Sequence, residues 1–149
     1  MTSSRELADR NSSLAVVAQD RAGELTMNQQ GTILVVEDDP ILRIDAALMF
    51  EEAGFEVSEF ESADDALAFV WDRAEEVTAI FTDVQMLGDT SGIDLAAIVT
   101  TSWPHIEVLV TSGIVEEMPD HLPSRVRFFP KPWAPVDILS AIQLPARLH

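Results

Sequence analysis

The sequence predicts an α/β fold: a five-stranded parallel sheet with helices on both faces. Three observations carry this. Short apolar runs alternate with stretches of helical periodicity along most of the chain. The first run, Thr32-Ile-Leu-Val-Val36, is continuous, as suits a strand buried on both faces. Strand–helix units then follow one another to the end, and that alternation implies a parallel sheet whose crossover helices cover it.

The elements follow in order. Asp39 suits the N-cap of the first helix, because its carboxylate can accept free N–H groups of the first turn, and Pro40 fits that turn. Leu42, Ala46, Met49 and Phe50 recur at helical spacing, and Gly54 is the stop signal. Residues 55–60 alternate apolar and polar, the pattern of a half-buried edge strand. Ser62 opens a helix over 63–73, with Ala66, Leu67 and Val70 inward. A strand over 78–82, a helix over 93–101 and a β-branched strand over 106–110 come next. A strand over 126–129 and a helix over 135–143, apolar at Val136, Ile138, Leu139 and Ile142, complete the series. Pro119 and Pro123 interrupt the stretch 112–125, so any helix there is short.

Residues 1–30 stand apart. They are rich in Ser, Asn, Gln and Arg, with thin apolar periodicity, and read as a flexible extension or a marginal helix before a domain over 31–149. Met27 lies just before the first strand, and our hypothesis is that it is the natural start. Mass spectrometry of the native N-terminus tests this; a native chain beginning at Met1 would sink it.

Composition narrows the function. The chain has 149 residues and a net charge of −17. That charge argues against nucleic acid, whose phosphates call for clustered Lys and Arg, and against anionic membrane surfaces. Cysteine is absent, which removes disulfides, thiolate chemistry and cysteine metal sites. There is no apolar run of bilayer length and no signal-peptide pattern, so the expectation is a soluble, cytoplasmic protein. Lys131 is the only lysine.

In a parallel sheet the residues that follow the strands share one rim, and there the polar chemistry gathers. Glu37-Asp38-Asp39 follows the first strand, Asp83 the third, Thr111-Ser112 the fourth, and Lys131-Pro132 the fifth. Each alone has an ordinary reading: a cap, a solvated acid, a turn, a local backbone partner, a surface charge. Together they place three carboxylates, a hydroxyl and the only lysine on the rims of four strands. Clustered carboxylates repel unless a cation joins them. A hard divalent ion with oxygen ligands, Mg²⁺, suits such a site. One carboxylate could then attack phosphorus and form an acyl phosphate.

Four stretches resemble the receiver domain of bacterial response regulators: Ile33-Leu-Val-Val-Glu-Asp-Asp-Pro40, Phe81-Thr-Asp-Val-Gln-Met86, Val108-Leu-Val-Thr-Ser-Gly113 and Phe128-Phe-Pro-Lys-Pro-Trp133. The resemblance spans about 32–143 and implies a flavodoxin-like, doubly wound (βα)5 fold with strand order 2-1-3-4-5. It further implies that Asp83 is the phosphoacceptor, that Asp38 ligates Mg²⁺ directly, and that Glu37 holds it mainly through water. The Gln85 backbone carbonyl would be a further ligand, Thr111 and Lys131 would contact the phosphoryl group, and Phe128 would be the aromatic switch. Three departures stand out. Leu87 replaces the usual proline four residues after the acceptor, the loop to Gly92 is one residue longer, and the switch residue is Phe rather than Tyr.

The expected function is therefore a stand-alone receiver, not an enzyme beyond its own aspartyl phosphorylation and dephosphorylation. A histidine kinase or histidine phosphotransfer protein would donate the phosphoryl group, and output would pass to a downstream protein. The resemblance also allows a homodimer. Trp133 is balanced between partner contact and simple packing. The rival readings are a phosphorylation-independent receiver-like adaptor, an aspartyl-phosphate phosphatase and a flavin-binding module. The phosphatase pattern calls for a second Asp where Gln85 stands, and Glu37-Asp38-Asp39 would repel a flavin phosphate.

Overall fold

The computed structural model describes residues 31–86, 88, 90–113 and 125–147, with side chains as far as 142. The expectations for 1–30, for Leu87 and for most of the proline-interrupted stretch lie outside the described residues. Five strands, β1 (Thr32–Val36), β2 (Glu56–Phe60), β3 (Val77–Asp83), β4 (Glu107–Ser112) and β5 (Arg127–Pro130), form one sheet in the order β2-β1-β3-β4-β5. Every neighbouring pair is parallel. Among the described residues four α-helices are interleaved: α1 (Pro40–Glu52), α2 (Ala63–Arg73), α3 (Gly92–Ser102) and α4 (Pro135–Arg147). This is the flavodoxin-like arrangement.

Alternation along β1 explains why that strand is apolar throughout. Leu34 and Val36 belong to a core with Ala66 and Val70 of α2 and Leu95 and Val99 of α3. Ile33 and Val35 belong to the opposite core, with Ala46 and Phe50 of α1 and Ile138 and Ile142 of α4. Each face of the sheet thus carries two of the four described helices. The edge strand β2 is only half-buried, as its alternation requires.

Local signals hold the ends. The Asp39 carboxylate accepts from the N–H of Ile41 at 2.9 Å and of Leu42 at 3.3 Å, capping α1. Ser62 caps α2, and Ser91 with Asp94 forms a reciprocal capping box on α3. Gly54 takes φ +101° just past α1, a conformation that favours glycine.

Several expectations need correction. Asp83 and Thr111-Ser112 are the last residues of β3 and β4, not residues after them. The ladder between the two strands continues that far, with Asp83 paired in register to Thr111. Residue 55 precedes β2 rather than opening it, because the Phe55 N–H bonds back to the Phe50 carbonyl. The last strand is displaced one residue along, and the last helix runs four residues further. Leu42 is 43 % exposed rather than core-facing. It stands in the first turn of α1, at the rim.

Candidate phosphoryl-acceptor and metal site

The β1–α1 turn, the end of β3, the end of β4 and the start of the β5–α4 turn meet at one rim. Glu37, Asp38 and Asp83 each bring a carboxylate oxygen to within 4.8 Å of the others. Lys131 joins them, its Nζ 3.2 Å from Asp83 Oδ2 and 3.4 Å from Glu37 Oε1. The Lys131 N–H donates to the Ser112 carbonyl at 2.9 Å, and the Lys131–Pro132 peptide is cis.

The two oxygens of Asp83 have different surroundings. Oδ1 accepts the Val84 N–H at 2.8 Å, while Oδ2 faces the ammonium. Glu37 Oε2 accepts the Asp39 N–H at 3.1 Å. Burial pushes the Glu37 carboxyl above its ordinary value, and repulsion from Asp83 adds to this; the Asp39 N–H and Lys131 oppose it. Burial works against the Lys131 ammonium, yet attraction to Asp83 and Glu37 together holds its pKa raised. The donor set fits a hard divalent cation: three oxygen ligands in one cluster, with excess negative charge that one lysine does not offset.

Thr111 is 2 % exposed and stands beside Asp83 across the ladder. Gln85 borders the shallow bowl over the carboxylates, together with Leu42 and Met86. Phe128 lies apart from the carboxylates, half-buried against the α2–α3 core. A second cleft of about 470 Å³ descends from Glu37, Asp83 and Thr111 between α1 and the β5–α4 turn, walled by Leu42, Phe81 and Trp133. Trp133 is half-buried, packing edge-on against Phe81 at 5.2 Å and against the α1–α4 core.

Two contributors were not legible beforehand. Gly92 packs so tightly on the end of β3 that a Cβ there would meet the Asp83 carbonyl oxygen at 1.8 Å. Arg43, one turn into α1, donates to the Glu37 carbonyl at 2.9 Å. The only sequence signal was a lone basic residue close after three acids. The Thr90 hydroxyl donates to the Asp64 carboxylate, which ties Thr90, between β3 and α3, to the first turn of α2.

Comparison with known proteins agrees with this geometry. Residues 33–143 match the family model of the response regulator receiver domain. The chain belongs to the receiver-domain family. Among solved structures it is similar to the receiver domain of the hybrid histidine kinase CckA, at 27% identity and TM-score 0.63, over 80% of this chain and 100% of that one. A response regulator receiver protein from Sinorhizobium medicae shares the fold at 22% identity and TM-score 0.68, over 76% and 92% of the two chains. So does the response regulator TrrA from Thermotoga maritima, solved with Mg²⁺ and BeF, at 18% identity and TM-score 0.68, over 76% and 97%.

Proposed function

We propose that this protein is a phosphoaccepting receiver of a two-component phosphorelay, phosphorylated on Asp83. The observation that carries the reading is the setting of the Asp83 carboxylate. It lies between the Lys131 ammonium and the Val84 N–H, with two further carboxylates alongside. That arrangement positions a nucleophile and supplies a cation for the charge of an incoming phosphoryl group.

In this reading an Asp83 oxygen attacks the phosphorus of a phosphohistidine. The P–N bond breaks, its electrons return to the imidazole, and an acyl phosphate forms on Asp83. Lys131 swings its attraction from the lost carboxylate charge to the phosphoryl oxygens, and the Thr111 hydroxyl donates to another of them. Mg²⁺, held by Asp38, Asp83 and the Gln85 carbonyl, with Glu37 acting mainly through water, would neutralise the remaining oxygens. TrrA, solved with Mg²⁺ and BeF, lends support to that choice of ion. Movement of Thr111 toward the phosphoryl group then biases Phe128 between two packings, and a downstream protein reads the result.

The donor is a histidine kinase or histidine phosphotransfer protein. Support for a docking face comes from α1, where Ile41, Ile44 and Leu48 are exposed at spacings of three and four residues. They begin beside the carboxylates, and Val136 in the first turn of α4 is exposed as well.

Incubation with Mg²⁺ and acetyl phosphate tests the reading. Intact mass should show one added phosphoryl group on the wild type and none on Asp83→Asn. Equal labelling of the two would overturn the assignment. Absence of labelling from any donor would shift weight to a receiver-like adaptor that works without phosphate.

A further inference from the structure

We infer that Arg43 is a positioning residue for the metal-binding turn, and this inference rests on the receiver reading above. The parallel ladder between β1 and β2 ends at Val36 and Phe60. One more backbone bond follows, from the Glu37 N–H to the Phe60 carbonyl at 3.0 Å. Beyond it the chain leaves the sheet, and the next peptide unit joins the two acids whose side chains face Asp83. The carbonyl of that unit is gripped by Arg43 Nη1 at 2.9 Å.

The grip is itself held. Arg43 Nε lies 3.2 Å from Glu59 Oε1 at the end of β2, and Nη2 lies 4.0 Å from Glu61 Oε2. The Arg43 side chain is only 14 % exposed. One planar fork on α1 thus meets three groups from two segments: the carbonyl in the β1–α1 turn, and the two carboxylates at the end of β2 and just past it. The Arg43 N–H also closes the first turn of α1 on the Asp39 carbonyl at 2.9 Å, so the backbone from which the side chain reaches is itself held. Rotation of the Glu37–Asp38 peptide plane would swing both carboxylates relative to Asp83, and Arg43 opposes that rotation. A lysine could not replace it, since an ammonium has no rigid fork with which to reach a carbonyl and a carboxylate at once.

Partners that orient metal ligands from behind typically contribute about 10- to 100-fold in metal affinity. A plain strut between α1 and β2 would instead affect stability alone. The two roles separate in a Mg²⁺ titration by calorimetry at constant ionic strength, with thermal midpoints recorded in chelator. Arg43→Met should weaken Mg²⁺ binding about 10- to 100-fold, and Arg43→Lys should recover only part of the loss. Glu59→Gln, which leaves the bond to the Glu37 carbonyl in place, should shift the affinity far less than either. A lowered midpoint with unchanged Mg²⁺ affinity in Arg43→Met overturns the inference. If that variant does not fold, wild-type affinity in Arg43→Lys overturns it equally. A wild type that binds no Mg²⁺ at millimolar concentration overturns the receiver reading itself, and is told apart because it needs no Arg43 variant.

Discussion

Glu37 sits where burial, a neighbouring carboxylate and an ammonium compete, and burial weighs most. A carboxyl whose folded pKa lies above its ordinary 4.5 binds its proton more tightly when folded. The stability it contributes is present below the unfolded value and lost as pH rises through the raised one. At alkaline pH the ionised Glu37 therefore costs stability in the metal-free protein. Glu37→Gln should raise the metal-free thermal midpoint at pH 8, and the gain should shrink as the pH falls toward 4.5. Added Mg²⁺ should stabilise the variant much less than the wild type. Calorimetry in chelator and in Mg²⁺ checks both, and a lower midpoint at pH 8 in chelator would count against this account. Glu37, Asp38, Asp83 and Lys131 were legible in the sequence for a topological reason. Residues at the C-terminal ends of parallel strands share a rim, so strand order alone brings them near one another. Arg43 was not legible, because its role depends on a long side chain reaching a backbone carbonyl.

At the scale of elements, the β3–α3 connection shows how tightly the acceptor strand is held. Val84 N–H bonds to the Thr111 carbonyl at 3.0 Å, and Gly92 N–H returns to the Val84 carbonyl at 3.0 Å. The start of α3 is thereby pressed against the backbone of Asp83, where only hydrogen fits. The obstacle to a side chain is backbone, not the end of a flexible side chain, so α3 or β3 must move to admit one. Gly92→Ala should cost about 1–3 kcal/mol, the usual range for overpacking, read as a lower denaturant midpoint. It should also slow acetyl phosphate labelling, because the strand end that carries Asp83 is displaced. A variant with wild-type stability and labelling would show that the contact relaxes freely. Element type was readable for the five strands and the four α-helices among the described residues, since two-sided strands and capped helices leave strong local marks. Boundaries were less so: the ladder carries β3 and β4 on through Asp83 and Thr111-Ser112, polar residues that resemble loop in isolation. Leu42 misled because helical spacing reports a face, not whether sheet lies opposite that turn.

At the scale of the molecule, α1 and α4 cover one face of the sheet, and both begin at the acidic rim. Ile41 is 76 % exposed, Ile44 52 %, Leu48 50 % and Val136 67 %. Single exposed aliphatics are ordinary, but three on one helix at three- and four-residue spacing form a stripe that begins in the first turn of α1, just after the acidic turn. A small donor such as acetyl phosphate needs only to enter the bowl. A protein donor must also bury surface, and the stripe is apolar surface on the helix that starts at the acidic rim. The two donors therefore make different demands on the same site. Ile44→Glu combined with Leu48→Glu leaves the carboxylates, Lys131 and Thr111 unchanged, and both positions already face solvent. Labelling by acetyl phosphate should stay within about twofold of wild type, since an exposed substitution away from the chemistry changes little. Transfer from a phosphorylated histidine phosphotransfer protein that labels the wild type should fall about tenfold or more, the loss expected when a contact at the centre of an interface is removed. Loss of both activities would mean that the substitutions disturb the fold. Retention of both would place the docking face elsewhere on the domain and leave the stripe without a part in phosphoryl transfer.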